Sequence, residues 1–425
     1  MNRYVITKET IKGQEYIISA LYDENKKMIE VLPESLNQQS ILGNIYIAKV
    51  ENIVQNLNAA FVKISPTKRC YLSLEDLKHP IFTKKTSAKK TLVAGDELLV
   101  QVSREALKSK EPAVTTNLNF TGKYAVLTTG NRKLSVSAKL SKDVRAHYKR
   151  MLMEWKQRSL QHDVGIIIRT NAASVSDADI LAELEELSAR SIAILETAKY
   201  KTCYSLLYEE PATCFQHLND LRQEQLEEII TDNRSIFEEI CVHYHIPQEN
   251  LMTKGLVSIP VNQINTPEGI RLRYYEDRTL TLSALYSVSS SLEDALKTRV
   301  WLKSGAYVLI EHTEALTVID VNTGKNVAKK DIQENFLRVN KEAALEIARQ
   351  LRLRNISGII LIDFMNLEDK GAEEELLALF RKELKRDPIP TQLIDITKLG
   401  LVEVTRKKVK KSLREVFEIN SQKNS

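Results

Sequence analysis

Apolar and polar positions alternate through the first 40 residues, where Glu15 to Tyr22 and Met28 to Leu32 flank a turn-like Asp23-Glu24-Asn25, and the alternation predicts β structure. Strand-like runs continue at Asn44 to Val54, Asn58 to Ile64, Cys70 to Leu72 and Glu97 to Val102, with a turn at Ser65-Pro66. Lys84, Lys85, Lys89 and Lys90 fall in a polar loop between them. Short strands, a basic loop and interspersed aromatics predict a small OB-type barrel. From Phe120 to about Tyr200 the pattern changes. A β segment from Tyr124 to Ser137 leads to a helix from Asp143 to Arg158, a strand from Val164 to Thr170 and a second helix. That helix opens on Ser176-Asp177-Ala178-Asp179, a cap with an acidic first turn, and carries Leu181, Leu184, Leu187 and Ile192 at helical spacing. Between Thr202 and Tyr286 strands and helices mix without a clear motif.

The last third has the plainest pattern. Tyr307 to Glu311 and Ala315 to Val321 read as strands, Lys330 to Arg354 as a long helix, Gly358 to Asp363 as a continuous apolar strand, and Glu373 to Leu384 as a helix. This is a βαβ unit followed by another helix, so the fold class is multidomain α/β with at least two parallel strands. A chain of 425 residues exceeds one ordinary core and predicts two to four domains. No apolar run reaches the roughly 18 residues of a membrane span, and Met1-Asn2-Arg3-Tyr4-Val5 has no signal-peptide core, so a cytoplasmic protein without a membrane partner is expected. The cysteines, Cys70, Cys203, Cys214 and Cys241, form no Cys-x-x-Cys pair and read as reduced thiols. A net charge of +5 permits a nucleic-acid partner without demanding one.

Two of these strands end in an aspartate, Ala315-Leu316-Thr317-Val318-Ile319-Asp320 and Gly358-Ile359-Ile360-Leu361-Ile362-Asp363, with a helix between. A right-handed crossover makes such strands parallel and brings both carboxylates to one carboxyl edge of the sheet. Two carboxylates that close repel unless a cation lies between them. Mg²⁺ accepts one or two carboxylates and keeps waters for a phosphate, a geometry for phosphodiester hydrolysis. The alternative is that each aspartate caps a helix or closes a turn, and Asn322-Thr323-Gly324 is itself turn-like. Asn322 is a turn residue on that reading and an outer support of the metal site on the other. Other candidates are thinner. Cys241, His243 and His245 lack a fourth ligand for a soft metal. Asn322-Thr323-Gly324-Lys325 lacks the first glycine of a phosphate loop. Arg406-Lys407-Lys408-Val409-Lys410-Lys411 is dense enough to touch phosphates or to be a solvated helix face.

Thr313-Glu314-Ala315-Leu316-Thr317-Val318-Ile319-Asp320-Val321-Asn322 resembles the catalytic strand of the bacterial RNase E/G family. So does the run from Asn340-Lys341-Glu342-Ala343-Ala344 through Leu351-Arg352-Leu353-Arg354 to Ile362-Asp363-Phe364. The resemblance implies that Asp320 and Asp363 hold catalytic Mg²⁺ and that Asn322 supports them. It implies that Phe61 and Tyr71, in the stretch around Ala59-Ala60-Phe61-Val62, stack on RNA bases, with Lys110 near the scissile region. Without the family, Phe61 reads as barrel core and Tyr71 is undecided. Gly165-Ile166-Ile167-Ile168-Arg169-Thr170 resembles the pocket for a 5′-monophosphate end, in which Arg169 and Thr170 contact phosphate oxygens. The domains implied are an RNase-H-like scaffold split over residues 1–40 and 203–288, an inserted OB-fold RNA-binding domain (41–118), a 5′-end sensor domain (119–202), a DNase-I-like catalytic domain (289–418) and a disordered tail (419–425).

The function implied is a Mg²⁺-dependent endoribonuclease that cuts single-stranded RNA with a metal-activated water, leaving 5′-phosphate and 3′-hydroxyl ends, in rRNA processing and mRNA turnover. The alternative is a non-catalytic RNA-binding regulator with the same domains. Family members carry a Cys-x-x-Cys zinc link soon after the stretch matched by Lys398-Leu399-Gly400-Leu401-Val402-Glu403, and no cysteine follows Cys241. A short form without the zinc link or the small C-terminal domain is therefore expected, and a homo-oligomer, if one forms, is not zinc-mediated. Asn366 and Asn355 stand where the family often has acids.

Overall fold

The structure, a computed structural model, describes residues 1–37, 40–77, 79–88, 91–106, 111–159, 163–221, 225–247, 262–323 and 332–422, with side chains described as far as residue 417. The chain divides into two compact units. One is Ser40–Glu224; the other joins Met1–Gln39 to Gln225–Ser425. Among the described residues, no helix is long and apolar enough to cross a membrane.

In the Ser40–Glu224 unit the strand Ile45–Val54 pairs with Ala59–Lys63 along one edge and with Glu97–Arg104 along the other. Arg69–Ser73 and Ala113–Thr115 complete the circuit, so five strands close into a barrel of the OB-like kind. Closure leaves no free edge among those five. Alternation along the strands sends Ala60, Val62, Leu72, Val100 and Val114 into the barrel. Phe61 and Tyr71 are consequently on the outside and half-buried, so Phe61 is not barrel core. The strand Leu206–Tyr208 pairs with Ile45–Val54 and so belongs to this unit.

The same unit holds a four-stranded sheet of Asn119–Thr121, Ala125–Thr128, Gly165–Ile168 and Leu134–Val136. The helices Lys142–Arg158 and Asp177–Ala198 bury Leu152, Trp155, Leu184 and Leu187 in one core with Leu127 and Ile166. Ser176 caps the second helix in a reciprocal box with Asp179, as its sequence predicts.

The other unit contains two six-stranded sheets. The first orders Gln263–Asn265, Arg271–Tyr274, Leu226–Thr231, Asn2–Ile11, Gln14–Tyr22 and Met28–Ser35. The second orders Arg299–Trp301, Tyr307–His312, Leu316–Asn322, Gly358–Asp363, Val402–Arg406 and Thr391–Ile396. Its two central strands, Leu316–Asn322 and Gly358–Asp363, are adjacent and parallel. The crossover contains the helix Ile332–Leu353, whose Val339, Ala343, Ile347 and Leu351 pack with Ile319, Val321, Ile360 and Ile362. The helix Lys370–Leu384 adds Leu376, Leu377 and Phe380 to that core.

Arg406 departs from the reading of its basic run as a solvated helix face. It ends a strand, is buried, and donates from Nε to Asp387 Oδ2 at 2.7 Å and from Nη1 to Asn355 Oδ1 at 2.6 Å. Asn355 sits in the left-handed region at φ 48°, which asparagine tolerates better than most residues.

A second buried ionic group ties the long helix to the N-terminal hairpin. Glu346 accepts from Lys27 Nζ at 2.8 Å, from Gln350 Nε2 at 2.8 Å and from Arg349, whose Nη1 also donates to the Met28 carbonyl. Burial alone would raise the Glu346 carboxyl, but the hydrogen bonds from Arg349, Lys27 and Gln350 outweigh it and hold the group down at about 2. A depressed folded-state value means stability that is complete above the ordinary 4.5 and is lost as the pH falls toward about 2. In unfolding titrations from pH 6 to 2, Glu346→Gln should flatten this acid-side loss, and an unaltered pH profile would show that the cluster does not supply it.

Candidate active site

The carboxyl ends of the two parallel strands set the geometry. Asp320 is the direct register partner of Asp363. Neighbouring strands lie about 4.8 Å apart, and side chains of register partners leave the sheet on the same face. Ile319, Val321, Ile360 and Ile362 point to the helix-covered side. Asp320, half-buried, and Asp363, exposed, therefore project together from the opposite face. The site is bracketed by apolar residues that fix its orientation. A one-residue slip of either strand would send its aspartate into the core.

Asn322 Nδ2 donates to Asp320 Oδ2 at 2.7 Å, which orients that carboxylate and leaves its other oxygen to accept elsewhere. Asn340 is a residue that the sequence pattern did not single out. It is fully buried on the crossover helix, donates from Nδ2 to the Met365 carbonyl at 2.8 Å and accepts from the Met365 N–H at 3.0 Å. That pair of bonds holds the backbone two residues beyond Asp363. The signal was a polar residue among the apolar positions of an amphipathic helix. Glu342 on the same helix accepts from the backbone N–H of Lys303 at 2.6 Å and of Ser304 at 3.2 Å.

These residues fit a hard divalent cation. The donor set is all oxygen, comes from one face, and supplies two carboxylates, as Mg²⁺ accepts while keeping several waters. Among the described residues no group of three or more His, Cys, Asp or Glu side chains is arranged to hold a metal. A site in this unit therefore rests on the aspartate pair. The soft-metal candidate fails on the same count: Cys241 is buried, and burial pushes its thiol up to about 11.

On the barrel, Phe61 and Tyr71 are register partners on neighbouring strands, with ring centroids 6.2 Å apart and edge-to-face. The Arg69 guanidinium lies 4.7 Å from the Phe61 ring centroid and is ion-paired with Glu111 at 2.7 Å. Lys110 lies outside the described residues, as do Gly324 and Lys325.

In the four-stranded module, Arg169 follows the strand Gly165–Ile168 and Thr170 begins the short helical turn Thr170–Ser174. The Arg169 fork is already engaged. Nη1 donates to the Gly122 carbonyl at 2.6 Å and Nη2 to Asp220. Thr170 Oγ1 is 2.9 Å from Ser137 Oγ. Glu183 accepts from the N–H groups of Lys123, Tyr124 and Ala125 at 2.6, 2.8 and 2.9 Å and so fixes the loop that presents the Gly122 carbonyl. Burial pushes the Glu183 carboxyl up, against the opposing effect of those three N–H groups.

The chain thus carries a closed five-stranded barrel in one unit and a carboxylate pair on the open face of an α/β sheet in the other. Residues 119–409 match the Ribonuclease E/G family. The chain is 32% identical over 413 residues to a protein named Ribonuclease E from a Nostoc species, covering 96% of this chain and 57% of that one. It is 30% identical over 400 residues to Ribonuclease G of Escherichia coli, covering 91% and 77% respectively. Ribonuclease E of Haemophilus influenzae is 28% identical over 409 residues, 95% of this chain and 41% of its own length. This chain belongs to the Ribonuclease E/G family. It spans 57–58% of the length of the Ribonuclease E proteins of the Nostoc and Synechocystis species.

The buried thiols offer a check on the packing of both units, Cys70 in the barrel and Cys241 at the soft-metal candidate. Burial pushes Cys70 up to about 12 and Cys241 to about 11, so both should resist alkylation at pH 8 in the folded protein and react on unfolding. Mass mapping of alkylated peptides reads this directly, and fast native labelling of Cys241 would contradict its placement.

Proposed function

We propose that this chain is a divalent-metal-dependent endoribonuclease acting on single-stranded RNA. The observation that carries the reading is the register pairing of Asp320 with Asp363 on one open sheet face, in a chain of the Ribonuclease E/G family. Asp320 and Asp363 would hold the cation, with Mg²⁺ the choice that an all-oxygen donor set favours. Bound there, it supplies a Lewis acid for a phosphate oxygen and acidifies a water. Asn322 keeps Asp320 in one orientation through its 2.7 Å bond, and Asn340 holds the backbone that follows Asp363. In-line displacement of the 3′-oxygen leaves 5′-phosphate and 3′-hydroxyl ends.

Phe61 and Tyr71 are the base-stacking pair on the barrel, each base so held contributing about 1–3 kcal/mol, with Lys110 as a further RNA contact. Arg169 and Thr170 receive a 5′-monophosphate. On this assignment a terminal phosphate exchanges with the Asp220 carboxylate for the Arg169 fork. The domains follow the same reading: an RNase-H-like scaffold (1–40 and 203–288, of which the strand Leu206–Tyr208 pairs with the barrel), a barrel (41–118), an end sensor (119–202) and a DNase-I-like domain (289–418). RNA processing and turnover in the cytoplasm is the setting such chemistry serves.

Asp320→Asn and Asp363→Asn should each lower cleavage of a fluorescent single-stranded RNA by more than about 100-fold, beyond the 10–100-fold expected for Asn322→Ala as an outer support. Unchanged cleavage by either aspartate variant would exclude the site. In a paired assay, Arg169→Gln should abolish any preference for 5′-monophosphate over 5′-hydroxyl substrate while the 5′-hydroxyl substrate is cut at the parental rate. A retained preference would remove Arg169 from end recognition.

A further inference from the structure

The open face that carries the aspartates extends to the edge of its sheet, where its chemistry changes. Register pairing runs Trp301 to Tyr307 to Asn322 in one row and Arg299 to Leu309 to Asp320 to Asp363 in the next. All of these residues therefore leave the sheet on one face. Trp301 is 63% exposed, although it is a large aromatic on a strand. Its ring meets Tyr307 edge-to-face, centroids 5.3 Å apart. The Arg299 guanidinium lies 4.6 Å from the Tyr307 ring centroid and 5.6 Å from that of Trp301. No carboxylate among the described residues pairs with Arg299. Nothing described in this unit covers the indole.

We infer that Trp301, Tyr307 and Arg299 form a base-stacking platform that holds a nucleotide of single-stranded RNA beside the Asp320–Asp363 pair. The inference rests on the endoribonuclease reading and adds to it a binding surface on the catalytic sheet itself, separate from the barrel aromatics. Three features favour a nucleic-acid occupant. Exposed π-faces accept any base, so stacking needs no sequence readout. A guanidinium lying over aromatic rings without a carboxylate partner is a cation left available for a backbone phosphate. The strand spacing places Trp301 about 10 Å from Asn322, two strands away, so one short stretch of single strand can touch both. A purely structural aromatic cluster would instead bury the indole against a neighbour, as happens to Trp155, which is 6% exposed and donates to Glu185 at 2.7 Å.

The chain has two tryptophans, so the contribution of Trp301 to emission is the difference between a parent protein and its Trp301→Phe variant. With Asp320→Asn protein, which keeps RNA uncut, a short single-stranded oligoadenylate should quench that difference emission in a saturable way. In the active protein, Trp301→Ala should raise KM for single-stranded RNA about tenfold at nearly unchanged kcat, within the range base stacking supplies, and Trp301→Phe should restore most of the loss. Tyr307→Ala should raise KM in the same sense. An unquenched Trp301 together with parental KM in Trp301→Ala overturns the platform while leaving the nuclease standing. Saturable quenching in a protein that cuts no RNA overturns the nuclease reading and supports the platform. Shielding of Trp301 from acrylamide that rises with protein concentration, and is indifferent to RNA, overturns the platform in favour of self-association.

Discussion

Parallel strand pairing holds two aspartates side by side, and the packing of their unit keeps them there. Side chains of register partners lie at about the strand spacing, a separation that one divalent cation can span. The register cannot relax to separate them, because Ile319 and Val321 on one strand and Ile360 and Ile362 on the other are buried under the crossover helix. Hydrophobic burial on the covered face thus fixes the placement of the two carboxylates on the open one. On the proposed reading, core packing that keeps the two carboxylates together preorganises them for a divalent ion.

The neighbouring polar contacts limit how far the pair can rearrange. Asn322 holds one oxygen of Asp320, and the buried Asn340 ties the chain just past Asp363 to the helix that connects the strands. In the other unit a comparable arrangement surrounds Arg169, where Glu183 fixes the Gly122 loop and Asp220 occupies the fork. The difference is in what remains free. The aspartates face outward with oxygen lone pairs to spare, whereas the arginine must exchange a protein carboxylate for any phosphate it receives.

Much of this was legible in the amino-acid order. The parallel aspartate strands followed from two apolar runs separated by a helical period, and the Ser176 cap from a serine set before an acidic turn. The barrel followed from short alternating runs. Other features depend on partners that local pattern does not encode. Whether Phe61 faces inward or outward is decided by closure of the barrel through strands some 40–50 residues away in sequence. Arg406 looked like part of a solvated basic run because its ion-pair partner Asp387 and its hydrogen-bond partner Asn355 are distant in sequence. Asn340 and Met365 are 25 residues apart, and Arg169 and Asp220 are 51 apart. The Thr391–Ile396 strand was obscured by the irregular register between Leu393 and Asp395, which breaks the period-two alternation.

The central claim is that Asp320 and Asp363 share one cation. Mn²⁺, a paramagnetic stand-in for Mg²⁺, can be titrated into the protein without RNA and followed by electron paramagnetic resonance. The account expects one bound ion per chain in the parent, and its loss in both Asp320→Asn and Asp363→Asn while circular dichroism shows the fold intact. Retention of the same stoichiometry and affinity in both variants would contradict it.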